Sequence, residues 1–281
     1  MKRAAWVLLA GIVACAGTAQ ARALPRVASL NLCADQLVLM LAQPEQIVGL
    51  SPLSRDCWDS VLCEQARHVP VIRQSAENIV AAHPDVVLGS TYTAASAAVA
   101  MQAARESGAR VLALPPATGL ADIPAQIMQV ADAIGVPERG RALADAFATR
   151  LAALSVPPRP DDPTAAIYAA NGFVTYAGSL PDDVLAHAGL RNYATVEGHA
   201  KSSRFSMEVL IAHPPDLLVL DRSGAGNSMA QSMLDHPALR RAFAGSRHLD
   251  LPARLWLCGL PQTLDSLALL RDARRNLEKS P

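Results

Sequence analysis

Aromatic side chains are scarce in this chain: four Phe, three Trp and four Tyr make up only 4% of 281 residues, so the position of each carries weight. An excess of either charge is also lacking. Lys+Arg and Asp+Glu both number 25, which removes the basic surplus that nucleic-acid binding draws on. No Gly-x-Ser-x-Gly elbow and no phosphate-binding P-loop is present, so neither common nucleophile nor nucleotide chemistry is signalled. The seven His form neither His-x-His nor His-Glu-x-x-His, and the five Cys form no Cys-x-x-Cys. No apolar run is long enough to span a membrane. What remains is a chain 51% hydrophobic and 18% charged, rich in Ala and Leu and too apolar for disorder. Its length suits one large domain or two of ordinary size.

The N-terminus reads as an export leader. Lys2 and Arg3 precede an apolar run from Ala4 to Ala14, and Ala19-Gln20-Ala21 and Ala21-Arg22-Ala23 offer small-x-small cleavage sites. Cleavage near Ala23 is favoured, with residues 1–23 as a signal peptide and the mature chain in the periplasm. A competing reading takes Ile12-Val13-Ala14-Cys15 as a lipobox and Cys15 as a lipid anchor. Loss of Lys2, Arg3 and Arg22 leaves 22 basic residues against 25 acidic. Export also places Cys33, Cys57, Cys63 and Cys258 in an oxidising compartment. Cys57 and Cys63 are close enough for a local disulfide, while Cys33 and Cys258 either pair across the chain or stay free. Four cysteines allow three pairings, and the sequence does not choose among them.

Short apolar strands alternate with helices. Strands are expected at Arg26–Leu30, Gln46–Leu50, Val86–Leu88, Arg110–Leu114, Ala165–Ala169, Leu217–Leu220 and Arg247–Leu249. Helices are expected at Ala34–Ala42, Ala95–Ser107, Asp182–Ala188 and Pro261–Arg274. Such alternation predicts an α/β fold with parallel-type sheets. Between the halves, Ile123–Ile134 and Glu138–Leu154 carry helical periodicity, broken at Gly135-Val136-Pro137. About twenty helical residues reach roughly 30 Å, enough for a strut between two lobes. The expected layout is leader 1–23, N-terminal lobe 24–118, linking helical segment 119–157 and C-terminal lobe 158–281.

One phrase occurs twice, 131 residues apart: Glu77-Asn-Ile-Val-Ala-Ala-His-Pro84-Asp85-Val-Val-Leu88 and Glu208-Val-Leu-Ile-Ala-His-Pro-Pro215-Asp216-Leu-Leu-Val219. In each, Glu stands in the first turn of a short helix, where the helix dipole favours it. Ser75 and Ser206 are available as caps. Pro ends the helix, and Asp leads into a buried strand. The repeat argues for a duplicated, two-lobed protein.

Taken with Arg26–Gln36, Ile47–Leu50, Ser107–Leu112, Leu185–Asn192 and Leu255–Gly259, in this order and spacing, the duplicated phrase resembles the periplasmic substrate-binding proteins of ABC importers for iron complexes and vitamin B12. The resemblance covers some 250 residues. It implies two similar α/β lobes joined by one long backbone helix, with the ligand held between them and no catalysis. It further implies that Glu77 and Glu208 dock into Arg pockets on an inner-membrane permease dimer, which works with ATPase subunits. The resemblance implies no cofactor of the protein's own. The expected cargo is a small-molecule metal chelate, a ferric siderophore or a corrinoid such as vitamin B12, with haem behind them. Ser202 and Ser203 stand where vitamin B12 binders carry an aromatic, which ranks corrinoids slightly below iron complexes.

Ligands of open parallel sheets sit beyond the carboxyl ends of the strands. Residues just past the expected strand ends, or near them, are Asn31, Arg55, Trp58, Tyr92, Phe173, Tyr176, Phe205, Arg254 and Trp256, with Arg222, Cys33 and Cys258 close by. Six aromatics there, in a chain poor in them, suit the flat faces of a macrocycle or aromatic chelate. The arginines suit carboxylates or phosphates. No resident metal site is expected. The alternatives are a free Zn or Mn receptor, drawing on His187 and His199, and a periplasmic enzyme. A monomer without nucleic-acid partners is expected.

Overall fold

The computed structural model describes residues 23–92, 94–196, 204–222 and 228–279. The leader residues 1–22, with Cys15, and also His199, Ser202, Ser203 and the Arg222 side chain lie outside what is described.

The first lobe runs β1 (Val27–Ser29), α1 (Leu32–Leu41), β2 (Ile47–Gly49), α2 (Cys63–Ala66), α3 (Ala76–Ala82), β3 (Val86–Ser90), α4 (Ala95–Glu106) and β4 (Arg110–Leu114). Then α5 (Asp122–Ala133) and α6 (Pro137–Leu154) cross to the second lobe. The second lobe runs β5 (Thr164–Tyr168), α7 (Leu180–His187), β6 (Arg191–Asn192), α8 (Tyr193–Val196), α9 (Met207–Ala212), β7 (Leu217–Arg222), α10 (Met229–Ser232), α11 (Pro237–Ala242), β8 (His248–Pro252) and α12 (Thr263–Lys279). Each lobe holds a four-stranded sheet of the same order, β2-β1-β3-β4 and β6-β5-β7-β8, with every pairing parallel. Parallel strands buried on both faces read as continuous apolar runs, which is why Val86–Ser90 is buried at every position.

The duplicated phrase has the same physical job in both lobes. Ser75 caps α3 by accepting from the Asn78 N–H, and Ser206 caps α9 by accepting from the Val209 N–H. The Asp that follows Pro ties down the neighbouring strand. Asp85 accepts from the Arg26 N–H at 2.7 Å, just before β1. Asp216 accepts from the Thr164 N–H at 2.7 Å, at the start of β5. Helix stop and strand start are thus joined by one carboxylate in each half.

Between α5 and α6 the chain turns at Gly135, with φ +79°, and Pro137 opens α6. The positive φ ends α5, and Pro at the first turn loses no hydrogen bond. Eighteen residues make α6 about 27 Å long. Gly140 lets α6 approach α5 closely, since a Cβ there would lie 2.3 Å from the Ala131 Cβ. One buried cluster runs without a break from Val27 and Leu37 through Ile127 and Phe147 to Ile167, Leu185 and Leu267. The lobes therefore share a core, and the strut is embedded in it. Both cysteine pairs are disulfides: Cys57–Cys63 within the first lobe and Cys33–Cys258 between the lobes.

Candidate functional site

Parallel order puts the carboxyl ends of each sheet's strands on one side, and the segments at or beyond the ends of β4, β5, β7 and β8 meet at the junction of the lobes. A cavity of about 400 Å³ opens there. Its walls are Pro116–Thr118 beyond β4, Ile167, Ala169 and Phe173–Tyr176 at and beyond β5, Ser179–Pro181 at the start of α7, Asp221 in β7, and Ala253, Trp256 and Leu257 beyond β8. A second cavity of about 460 Å³ lies within the C-terminal lobe, against Leu218, Leu239 and Phe243, and touches no residue of the first lobe.

The aromatics divide sharply. Tyr92 is 81% exposed, Tyr176 48%, Trp58 46% and Phe173 39%, while the other described aromatic side chains are buried. All four exposed rings follow strand ends in the sequence, and Phe173 and Tyr176 wall the cavity. Trp58 sits between two residues that face the other lobe. The Cys57 carbonyl accepts from Arg254 at 3.4 Å, and the charge of Asp59 acts on Asp221. Phe173 is presented by a tight turn. Asn171 and Gly172 take positive φ there, and the Ala169 N–H donates to the Phe173 carbonyl at 2.8 Å. Only glycine fits at 172, because a Cβ would come 2.6 Å from the Phe205 carbonyl oxygen. The Arg204 guanidinium lies 4.1 Å from the Phe173 ring centroid, a cation–π contact on one face of the ring.

The other residues singled out in the sequence have different duties. Trp256 is buried yet walls the cavity, and its indole N–H donates to Asp221. Phe205 is also buried, packs on Tyr193 with ring centroids 5.6 Å apart, and belongs to the core of its lobe. Asn31 is the N-cap of α1, accepting from the Cys33 and Ala34 N–H groups. Arg55 turns back on its own loop and donates to the Ala66 and Val69 carbonyls. Arg254 spans the junction to Cys57. Cys33 and Cys258 are consumed in the disulfide, so neither offers a thiolate to a metal. His187 bonds to Ser155 through Nδ1 and lies 3.8 Å from Asp183, and among the described residues it belongs to no group with metal-ligand spacing. Among the described residues the only grouping with metal-ligand spacing is Cys57, Cys63 and Glu64, and its two sulfurs are bonded to each other.

Glu77 and Glu208 are both exposed in the first turns of α3 and α9. The Glu208 backbone N–H and the Ser206 hydroxyl hold the Glu208 carboxyl below the ordinary range, so it is firmly anionic.

Asp221 was not legible in the sequence. The apolar run Leu217–Leu220 looks like a complete strand, but β7 continues through Asp221 and Arg222. A carboxylate is thereby carried into the cavity wall. Burial pushes its pKa up to about 6, against the hydrogen bond from Trp256 and with the Asp59 charge adding to the rise. The signal in the sequence was an acid following directly on an apolar strand.

The family model described as periplasmic binding protein matches residues 27–248. Solved structures with the same fold include the periplasmic haem-binding protein RhuT from Roseiflexus sp. RS-1 in apo form, 24% identical, with a TM-score of 0.71 over 89% of this chain and 98% of that one. A periplasmic haem-binding protein from Pseudomonas aeruginosa is 26% identical, with a TM-score of 0.68 over 92% and 94%. The periplasmic vitamin B12 binding protein BtuF of Vibrio cholerae is 17% identical, with a TM-score of 0.66 over 92% and 99%. No curated protein matches the chain. The chain belongs to the periplasmic binding protein family.

Proposed function

We propose that this periplasmic binding protein is the exported receptor of an ABC importer, and that it captures a metal chelate between its lobes. In this reading residues 1–23 are the leader, 24–118 and 158–281 the two lobes, and 119–157 the link. The observation that carries it is the inter-lobe cavity walled by Phe173, Tyr176 and Trp256, with the Phe173 and Tyr176 rings exposed. Exposed flat rings cost solvation in the free protein and gain it back against a flat apolar ligand. The relatives named for haem and vitamin B12 support the same class of cargo, a metal held in a large ring. Ferric siderophores are the next class. The protein's part is capture and presentation, with no bond made or broken.

Glu77 and Glu208 are the permease contacts in this reading. They are exposed, sit in equivalent helices of equivalent lobes, and suit charge-assisted pairing with arginines on a two-subunit partner. Two measurements test the proposal. Trp58 and Trp256 are the tryptophans left after leader removal, so titration with haemin, cyanocobalamin and ferric siderophores is expected to quench their fluorescence saturably. Binding of Zn²⁺ or Mn²⁺ and of no chelate would replace this reading with a free-ion receptor. The double variant Glu77→Ala/Glu208→Ala is expected to bind chelate as the parent does and to lose uptake. Normal uptake by that variant removes the docking assignment.

A further inference from the structure

Among the described residues Asp221 is the one acid in the cavity wall, and its environment is incomplete. Its Oδ1 is buried with no hydrogen-bond partner, and the Trp256 indole beside the carboxyl favours the charged form. A buried acceptor without a donor costs about 1–3 kcal/mol, more when charged, so native structures rarely leave one unused. Among the described residues no cation forms an ion pair with Asp221. Asp59 faces it from the other lobe with the same charge. Arg254 donates from one guanidinium nitrogen to the Cys57 carbonyl at 3.4 Å and forms no ion pair with Asp221. The back of the cavity is therefore short of one donor and repels a second carboxylate.

Resting on the chelate reading, we propose that Asp221 is a specificity residue: it accepts a hydrogen bond from an amide or ammonium N–H on the cargo and rejects a carboxylate placed there. The donor completes Oδ1 and offsets the repulsion between Asp59 and Asp221, so its binding favours the lobes' approach. An anionic group on the same cargo finds its cation elsewhere, at the rim, where Arg204 lies over Phe173. Among metal chelates the back wall fits an amide-fringed macrocycle or an amine-bearing siderophore, and it disfavours a macrocycle fringed only by carboxylates.

The test uses the mature oxidised protein, its Asp221→Asn and Asp221→Leu variants, and four probes. These are cyanocobalamin, the cyanocobalamin monocarboxylate made by hydrolysing one side-chain amide, ferrioxamine B with its free ammonium, and haemin with its two carboxylates. The parent is expected to bind an amide or ammonium probe most tightly. Asp221→Leu should weaken that probe by about tenfold to a hundredfold, the loss of one buried hydrogen bond to a charged acceptor. Asp221→Asn, which keeps the shape and offers an N–H, should shift preference toward haemin or the monocarboxylate by about tenfold. A mere packing role moves all probes together. Equal weakening of every probe, or tightest parental binding of haemin, overturns the proposal while leaving the chelate reading standing. Failure of the parent to bind any probe overturns both.

Discussion

The two lobes share one topology and pack it in opposite ways. Outside the shared core, the first lobe closes on small and aliphatic side chains: Ala28, Leu30, Ile72, Ile79, Val87, Ala100, Met101 and Ala104. The second closes its equivalent layer on four rings, Tyr168, Tyr193, Phe205 and Phe243, with leucines between them. Close-packed glycines occur in both lobes, with Gly172 and Gly189 in the second. Gly49 and Gly89 leave the first lobe no room, since a Cβ there would lie 2.7 Å from the Ile72 Cβ and 2.6 Å from the Met101 sulfur. The lesson is that a duplicated backbone fixes strand order and the Pro-Asp link, and leaves the filling of the layers free. Cores tolerate such exchange where total volume and pattern are kept.

The cysteines divide by lobe as well, and removing them has the largest expected effect. Cys57–Cys63 closes a loop of separation 6 inside the first lobe, while Cys33–Cys258 closes one of separation 225 between lobes. Chain entropy alone assigns about 5 kcal/mol to the long loop and about 2 kcal/mol to the short one. Urea unfolding of the Cys33→Ala/Cys258→Ala and Cys57→Ala/Cys63→Ala variants is the check. A larger loss from the short loop breaks the picture of lobes held at their junction.

Next in size are the paired core changes. Phe243→Ala removes a ring that is 1% exposed and should cost about 3–5 kcal/mol. Gly49→Ala adds one methyl against stiff, β-branched Ile72 and should cost about 1–3 kcal/mol. The two variants thus test lost volume in the second lobe's layer and added volume in the first lobe's. If thermal melts show Gly49→Ala to be neutral, the tight packing of the first lobe is wrong.

The same contrast explains what the sequence made legible. Strands buried on both faces announce themselves as apolar runs, so the sheet elements were readable, apart from β6. Arg191–Asn192 has two residues and no pattern to find. The end of β7 was misread because a strand entering a polar cleft stops looking apolar before it stops being a strand. In the site, scarcity made the aromatics worth locating, but it does not say which way a ring faces. Phe205 and Phe173 follow the same β5 turn region in space, one packed inward on Tyr193 and one outward under Arg204. Asn31 and Arg55 were found at strand ends for a local reason, since caps and loop carbonyls need polar side chains there too.

The effect most sensitive to conditions belongs to Asp35 of α1. Ser51 donates to it through both its N–H and its hydroxyl, yet burial dominates and raises its pKa from 3.8 to about 7. In the second lobe the acids of α7 accept from backbone N–H groups, Asp182 from Gly178 in an exposed bond and Asp183 from Leu120 of the link in a part-buried one. The sign follows from proton linkage. A folded pKa above the unfolded one means that the native state holds the proton more tightly, so Asp35 supports the fold most at low pH. That support is lost as pH rises from about 4 through about 7, at no more than about 1.4 kcal/mol per unit. Asp35→Asn keeps an acceptor for Ser51 and removes the titration. Its stability relative to the parent should therefore climb between pH 5 and pH 7 and level off above about pH 8. Denaturant midpoints of the two proteins across that range measure the difference. A constant gap would mean that Asp35 is already charged in the fold, held by Ser51 against the cost of its burial.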